Sequence, residues 1–191
     1  VRLESGGGVV NGYGLAAAQL LRLREHNLTV NVAIDKVAAS GGYMMACVAN
    51  KIIAAPFAIL GSVGVIAQVP NFHRLLKKHD VDYQEITAGE YKRTLSMFGE
   101  VTDKGKAKFT EQIEDTHGLF KNFVKSYRPI VDLNQIATGE YWFGERALEL
   151  KLIDEVMTSD EYILSRLDDS QVYKLKISPK KKFSECNNDK T

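Results

Sequence analysis

The sequence is poor in cysteine and histidine, the residues that build disulfide frameworks and transition-metal sites. It contains two cysteines and four histidines in 191 residues. The two cysteines, Cys47 and Cys186, share no metal-ligand spacing and form no Cys-x-x-Cys pair. Cys47 lies in an apolar run and is predicted to be a small core residue, whereas Cys186 lies in a polar tail. Neither cysteine fixes the redox compartment.

An excess of charge and a long hydrophobic run are also missing. The 25 basic residues are balanced by 24 acidic ones, so the charge does not predict a nucleic-acid surface. The one basic cluster, Lys180-Lys181-Lys182, is interpreted as a solvated tail, with membrane-surface contact as the weaker alternative. No run of residues is apolar enough to span a bilayer. Because the chain opens on a short strand and a glycine loop, we expect that an N-terminal part is missing.

Strands and helices alternate along the chain, which favours an α/β domain with a mainly parallel sheet. With 45% hydrophobic and 26% charged residues, the chain resembles one ordinary globular domain. We predict a single domain over 1–178 and a disordered polar tail over 179–191. Helices are predicted over 15–25 and 103–127, the latter capped by Thr102, and strands over 29–37, 59–68 and 81–87.

Two glycine-rich turns, at 5–8 and 40–42, each follow a predicted strand and precede a helix. In open α/β sheets, ligand crevices form at the carboxyl ends of strands, so both turns are candidates for a site. The first turn lacks the lysine of a phosphate-binding loop, which argues against a nucleotide. Its glycine N–H groups suit a developing oxyanion better.

Ser40 is the candidate nucleophile. It stands where a helix begins, and free N–H groups with a partial positive charge favour an anion there. From local residues alone, an ordinary N-cap serine is the more common arrangement. The Ala39-Ser40-Gly41-Gly42 turn also differs from the Gly-x-Ser-x-Gly elbow of hydrolases. The local sequence therefore leaves both interpretations open.

A serine nucleophile needs a base, and the histidines fit this role poorly. His26, His73, His79 and His117 lie on predicted helices or at a helix exit, and each is interpreted as a surface residue rather than a triad member. Lys92 is the other candidate. A lysine base must be neutral, so burial would have to lower its pKa from about 10.4. An ordinary surface lysine is the alternative.

Five segments together resemble the signal peptide peptidase A family, serine peptidase family S49, and within it the SohB-type inner-membrane peptidases. The segments are 1–10, 37–43, 61–65, 89–92 and 138–142, the last followed by 147–154. Each is weakly specific alone, but their order and spacing together are highly specific. The separations of Ser62 and Lys92 from Ser40 agree with the family pattern. One departure is Gly6, which stands where the family usually has proline and loosens the loop.

The resemblance implies a Clp protease/crotonase-like fold, a spiral of β-β-α units with a mainly parallel sheet and helices packed around it. It implies a serine endopeptidase in which Ser40 is the nucleophile and Lys92 the general base. Ser62 would orient the lysine amine, and the backbone N–H groups of Gly7 and Gly41 would hold the oxyanion.

The resemblance also implies substrates, partners and location. Substrates would be apolar segments such as cleaved signal peptides or membrane-protein fragments, with no metal, cofactor or nucleic acid. Subunits would assemble into rings or domes, and in some family members serine and lysine come from neighbouring subunits. The domain would lie on the periplasmic side of the bacterial inner membrane, attached by a missing N-terminal segment. A crotonase-type acyl-CoA enzyme and a non-catalytic membrane scaffold are the alternatives.

Overall fold

The computed structural model describes residues 1–177, so the predicted tail at 179–191, with its lysine cluster and Cys186, lies outside the described residues. The chain divides into two compact units, Val1–Ser159 and a second that begins at Asp160. The single domain predicted over 1–178 stays a prediction.

Seven helices and six strands occur in residues 1–177. The helices are α1 (Val10–Glu25), α2 (Gly41–Ala46), α3 (His73–Lys78), α4 (Asp103–Tyr127), α5 (Leu133–Ile136), α6 (Gly144–Glu149) and α7 (Ser159–Leu164). The strands are β1 (Asn31–Ile34), β2 (Val37–Ala39), β3 (Lys51–Ala54), β4 (Ile59–Gly61), β5 (Tyr141–Phe143) and β6 (Glu155–Val156). None of these helices combines the length and hydropathy that a bilayer crossing requires.

The strands form two three-stranded sheets. One sheet has the order β1-β3-β6 and is parallel throughout, and the other has the order β2-β4-β5, in which only the β4–β5 pair is antiparallel. Residues before α1 add a parallel bridge to each sheet, Arg2 to Ala33 and Ser5 to Ala38. Up to α3, each successive segment thus places one strand or bridge in each sheet and then a helix. These β-β-α units and the mainly parallel pairing confirm the predicted fold class.

A single cluster of buried apolar side chains joins both sheets to the helices. The strands contribute Val32, Ile34, Ile52 and Leu60, and the helices contribute Ala17, Tyr43, Phe120 and Val124. Phe120 and Val124 belong to α4, whose bounds and Thr102 cap match the prediction, since the Thr102 hydroxyl accepts from Gly105 N–H at 3.0 Å. Cys47 is the predicted core residue, and burial raises the pKa of its thiol to about 12.

Three predicted strands differ from the structure. The one at 29–37 is divided into β1 and β2 because the Glu4 carboxylate accepts hydrogen bonds from the N–H groups of Asp35, Lys36 and Val37 and turns the chain there. The one at 59–68 ends at Gly61, where φ becomes positive. The strand predicted over 81–87 is wrong, because this stretch finds no sheet partner and Ile86 is 95% exposed.

Candidate active site

Ser40 has a strained backbone at the junction of β2 and α2. Its φ of 53° and ψ of −120° lie where residues with a side chain are rarely found. Hydrogen bonds hold it there, since Ser40 N–H donates to Gly61 O at 2.8 Å and its carbonyl accepts from Met44 N–H at 3.0 Å. The Ser40 hydroxyl makes no capping hydrogen bond to α2. Ser40 therefore occupies the N-cap position of α2, but its side chain does not cap the helix.

Ser62 shows the same kind of strain on the neighbouring strand end. Its φ is 50°, directly after Gly61 with a φ of 98°. Ser62 N–H donates to Glu140 O at 2.7 Å, and its carbonyl accepts from Gly64 N–H at 2.9 Å. Two strained serines are thus fixed at the ends of two paired parallel strands, β2 and β4.

Both serines line one cavity of about 950 Å³. Its walls come from the glycine loop, the Ser40 turn, the segment after β4, one side chain of α4 and the turn before β5. The lining residues are Gly6, Gly7, Gly8, Val9, Ser40, Ser62, Gly64, Val65, Ile66, His117, Thr138 and Gly139. A space of this volume at strand ends is suited to a ligand of several residues.

Glycines let the loop at 5–8 approach the Ser40 turn closely. A Cβ added at Gly7 would lie 2.7 Å from Ser40 Cβ and 2.8 Å from Gly41 N. A Cβ added at Gly42 would overlap the carbonyl oxygen of Ser5. Only glycine fits at these two positions, so the loop and the nucleophile turn form one packed unit.

The two predicted oxyanion donors differ in their hydrogen bonding. Gly41 opens α2, where the first N–H groups of a helix have no partner within the helix. Gly7 N–H, in contrast, donates to Ser5 Oγ at 3.3 Å. Gly7 lines the cavity, but its N–H is directed at a side chain of its own loop.

Lys92 lies apart from the cavity walls. It is exposed in an irregular segment, and its backbone N–H donates to Gly89 O at 3.1 Å. Its neighbours Glu90 and Arg93 pair with Lys104 and Glu85. The structure of this chain therefore brings together Ser40, Ser62 and Gly7 of the predicted site, but not Lys92.

His117 is a cavity residue that the sequence analysis missed. The imidazole is half-buried, lines the cavity, and places Nε2 3.2 Å from the carbonyl oxygen of Val63. The interpretation of His117 as a solvated surface residue is therefore wrong. Its spacing with Ile113, Phe120 and Val124 on one face of α4 is the signal that could have revealed it.

Comparison with known proteins places these features in a family. Residues 22–172 match the family model of Peptidase family S49. The chain is 58% identical over 187 residues to "Probable protease SohB" of Haemophilus influenzae, a match that covers 96% of this chain and 53% of that protein. It is 60% identical over 166 residues to "Probable protease SohB" of Buchnera aphidicola subsp. Schlechtendalia chinensis, covering 87% and 54%. The chain thus spans about half the length of these curated relatives.

Among solved structures, an enoyl-CoA hydratase/isomerase from Marinobacter aquaeolei matches 86% of this chain and 47% of its own, at 14% identity and a TM-score of 0.42. The family model and the SohB relatives, in contrast, match at the level of sequence over most of the chain. On that basis, the chain belongs to peptidase family S49.

Proposed function

We propose that this chain carries the nucleophile of a serine endopeptidase and that Ser40 attacks the substrate carbonyl. The observation that carries the proposal is the strained backbone of Ser40, on the wall of a cavity, with a hydroxyl that does not cap α2. Strain of this kind persists where the surrounding structure enforces it, and it concentrates at functional sites. Membership of a peptidase family supports peptide hydrolysis as the reaction.

The reaction would proceed through an acyl-enzyme. Ser40 Oγ bonds to the carbonyl carbon while a base takes the hydroxyl proton, and the carbonyl oxygen becomes an oxyanion. Collapse of this intermediate breaks the C–N bond, and the protonated base gives its proton to the leaving amine. Water, activated by the same base, then releases the acid product and restores Ser40.

Gly41 and Gly8 are the oxyanion donors that the hydrogen bonds favour. The Gly7 carbonyl accepts from the Tyr13 hydroxyl at 3.0 Å. In a trans peptide the N–H of the next residue points the opposite way, so Gly8 N–H is directed away from Tyr13. Gly7 N–H is already bonded to Ser5. Each donor of this type contributes about 3 kcal/mol to lowering the barrier.

Lys92 is the proposed base, with Ser62 orienting its amine, but only in an assembled protein. A lysine must be buried to lose its proton near neutral pH, and Lys92 is exposed in the single chain. Its segment also exposes apolar side chains that include Ile86, 95% exposed, and Tyr91, 42% exposed. We propose that a second copy covers this segment and that the Lys92 of one subunit serves the Ser40 of its neighbour.

The cavity favours apolar peptide segments as substrates. Val9 is 74% exposed and Ile66 is 80% exposed, and both line the cavity beside Val65. Binding is favoured when an apolar substrate side chain covers exposed apolar side chains on a cavity wall, because apolar surface is removed from water. Cleaved signal peptides and membrane-protein fragments have this character. The bacterial inner membrane, the periplasmic side and the ring or dome assembly stay predictions.

A serine-reactive phosphonate tests the proposed nucleophile. We expect covalent label on Ser40 in the full-length protein, located by peptide mapping. The Ser40→Ala variant should lose the label, whereas Ser62→Ala should keep it on Ser40. Label on another residue, or none on an active preparation, would contradict the assignment. An acyl-CoA enzyme or a non-catalytic scaffold gives no reason for label at Ser40.

A further inference from the structure

Tyr13, in the first turns of α1, hydrogen bonds to the glycine loop at two points. Its hydroxyl lies 2.6 Å from Ser5 Oγ and donates to Gly7 O at 3.0 Å. Gly7 N–H in turn donates to Ser5 Oγ at 3.3 Å. Three groups from the loop and the helix thus form a closed ring of hydrogen bonds.

The protons of this ring can be assigned. A tyrosine hydroxyl has one proton, and the Tyr13 proton is on the bond to Gly7 O. Ser5 must therefore donate to Tyr13, and the Ser5 oxygen accepts from Gly7 N–H. Each of the three residues thus donates one hydrogen bond and accepts one within the ring, and the direction of the Gly7 carbonyl is fixed. The Gly8 N–H of the same peptide plane is fixed with it.

The Tyr13 ring also contacts the other side of the site. A Cβ added at Gly41 would overlap the Tyr13 ring, and one added at Gly8 would lie 2.9 Å from Tyr13 Cε2. The aromatic ring therefore packs on Gly41, which directly follows the nucleophile. One side chain thus contacts both segments that supply the proposed oxyanion donors.

The loop has little other restraint at its tip. A Cβ added at Gly6 would have no atom within 4 Å, and Gly6 does not have a positive φ. A glycine at such an open position gives the loop conformational freedom that a residue with a side chain would remove. The rigidity of the loop must then come from the contacts of its neighbours.

We propose that Tyr13 is a positioning residue for the oxyanion hole. Its hydroxyl sets the Gly7–Gly8 peptide plane, and its ring sets the distance of that plane from Gly41. This inference rests on the proposed peptidase function, since it assigns a role within that reaction. Tyr13 is not among the residues that line the cavity, so its effect is on the preorganisation of the donors.

Tyr13→Phe tests this role, because it removes the hydroxyl and keeps the ring on Gly41. In the full-length protein, we expect kcat on a fluorogenic apolar peptide to fall about 10- to 100-fold, less than the loss of a whole donor, with KM within about twofold. Values are normalised to the number of serines that a phosphonate labels at completion, which removes any misfolded fraction. Tyr173→Phe is the matched control, since it removes a hydroxyl bonded to Gln171 on an exposed side chain.

A second variant separates positioning from general stability. Gly6→Pro restricts the loop independently of Tyr13. We therefore expect the double variant Gly6→Pro/Tyr13→Phe to have at least about threefold the kcat of Tyr13→Phe alone. A Tyr13→Phe enzyme within twofold of the unmodified kcat, or a defect confined to KM, would overturn the proposal. The proposal would also be overturned if the double variant kept the full loss of kcat seen in Tyr13→Phe while Gly6→Pro alone was active. If the unmodified protein neither turns over peptide nor takes label at Ser40, it is the proposed function that fails.

Discussion

At the scale of single residues, two serines differ from every other strained position in the described chain. Five residues other than glycine have a positive φ, and Asn27, Asp80 and Lys151 each follow the C-cap of a helix. That position commonly adopts a left-handed conformation to end a helix. Ser40 and Ser62 end strands instead, and both line the same cavity. Strain of about 1–3 kcal/mol per residue without a helix-ending role indicates a functional role.

The identity of the base is also a question about single residues. His117 lines the cavity, whereas Lys92 lies outside its walls. A base works only when it is deprotonated, so kcat/KM rises with pH through the pKa of the base. With a buried lysine we expect the rise in the neutral to mildly alkaline range, and we expect His117→Gln to keep that onset. The measurement is a pH–rate profile of the assembled full-length protein. A rise centred near pH 6.5, about the free histidine value, and lost in His117→Gln would assign the base to His117.

At the scale of elements, the helices were more predictable than the strands, although α1 begins at Val10, before the predicted start at Leu15. The bounds of α4 match the prediction because its cap, its apolar face and Pro129 after it are all local signals. The strands were less predictable, since a strand depends on a partner that is distant in sequence. Val81 and Ile86 carry an apolar pattern but no neighbouring strand, whereas the carboxylate of Glu4 divides β1 from β2 across a long sequence separation.

The packing of the glycine loop on α2 gives a prediction at this scale. Gly42→Ala would place a Cβ against the Ser5 carbonyl, so we expect about 1–3 kcal/mol of destabilisation and slower labelling of Ser40. Gly14→Ala is the matched control, because it lies inside α1 with no atom within 4 Å of the added Cβ. That change should stabilise the protein by up to about 1 kcal/mol. Thermal unfolding measures both, and equal shifts for the two variants would contradict the close packing.

At the scale of the whole molecule, the structure brings the two predicted serines and the glycine loop to one cavity and leaves Lys92 outside its walls. Ser40 and the glycine loop could be expected to lie close together, because each follows a predicted strand of an α/β fold, and both line the cavity with Ser62. The sequence could not indicate where Lys92 lies, since the segment around it has no regular structure. Nor could it reveal Tyr13, whose contact with the glycine loop comes from packing between elements.

The separation of Lys92 from the cavity leads to a prediction about assembly. If Lys92 serves the serine of a neighbouring subunit, Ser40→Ala and Lys92→Ala proteins are each inactive but complement each other. After co-assembly in equal amounts, roughly a quarter of the sites in a ring with heterologous contacts would combine an intact Ser40 with an intact Lys92. We therefore expect activity to appear on mixing at about that fraction of the unmodified level.

The control for this experiment is a mixture of the Lys92→Ala protein with a Ser40→Ala/Lys92→Ala double variant, which has no intact lysine in any subunit. It should stay inactive at every ratio. Phosphonate label in the active mixture should be found only on the Lys92→Ala subunits, because they alone retain Ser40. If co-assembly is verified by mass and the first mixture still shows no turnover, the lysine and serine do not act between subunits. In that case Lys92 would have to reach the cavity of its own chain, which requires the exposed segment around it to move, or the base is another residue of the cavity wall.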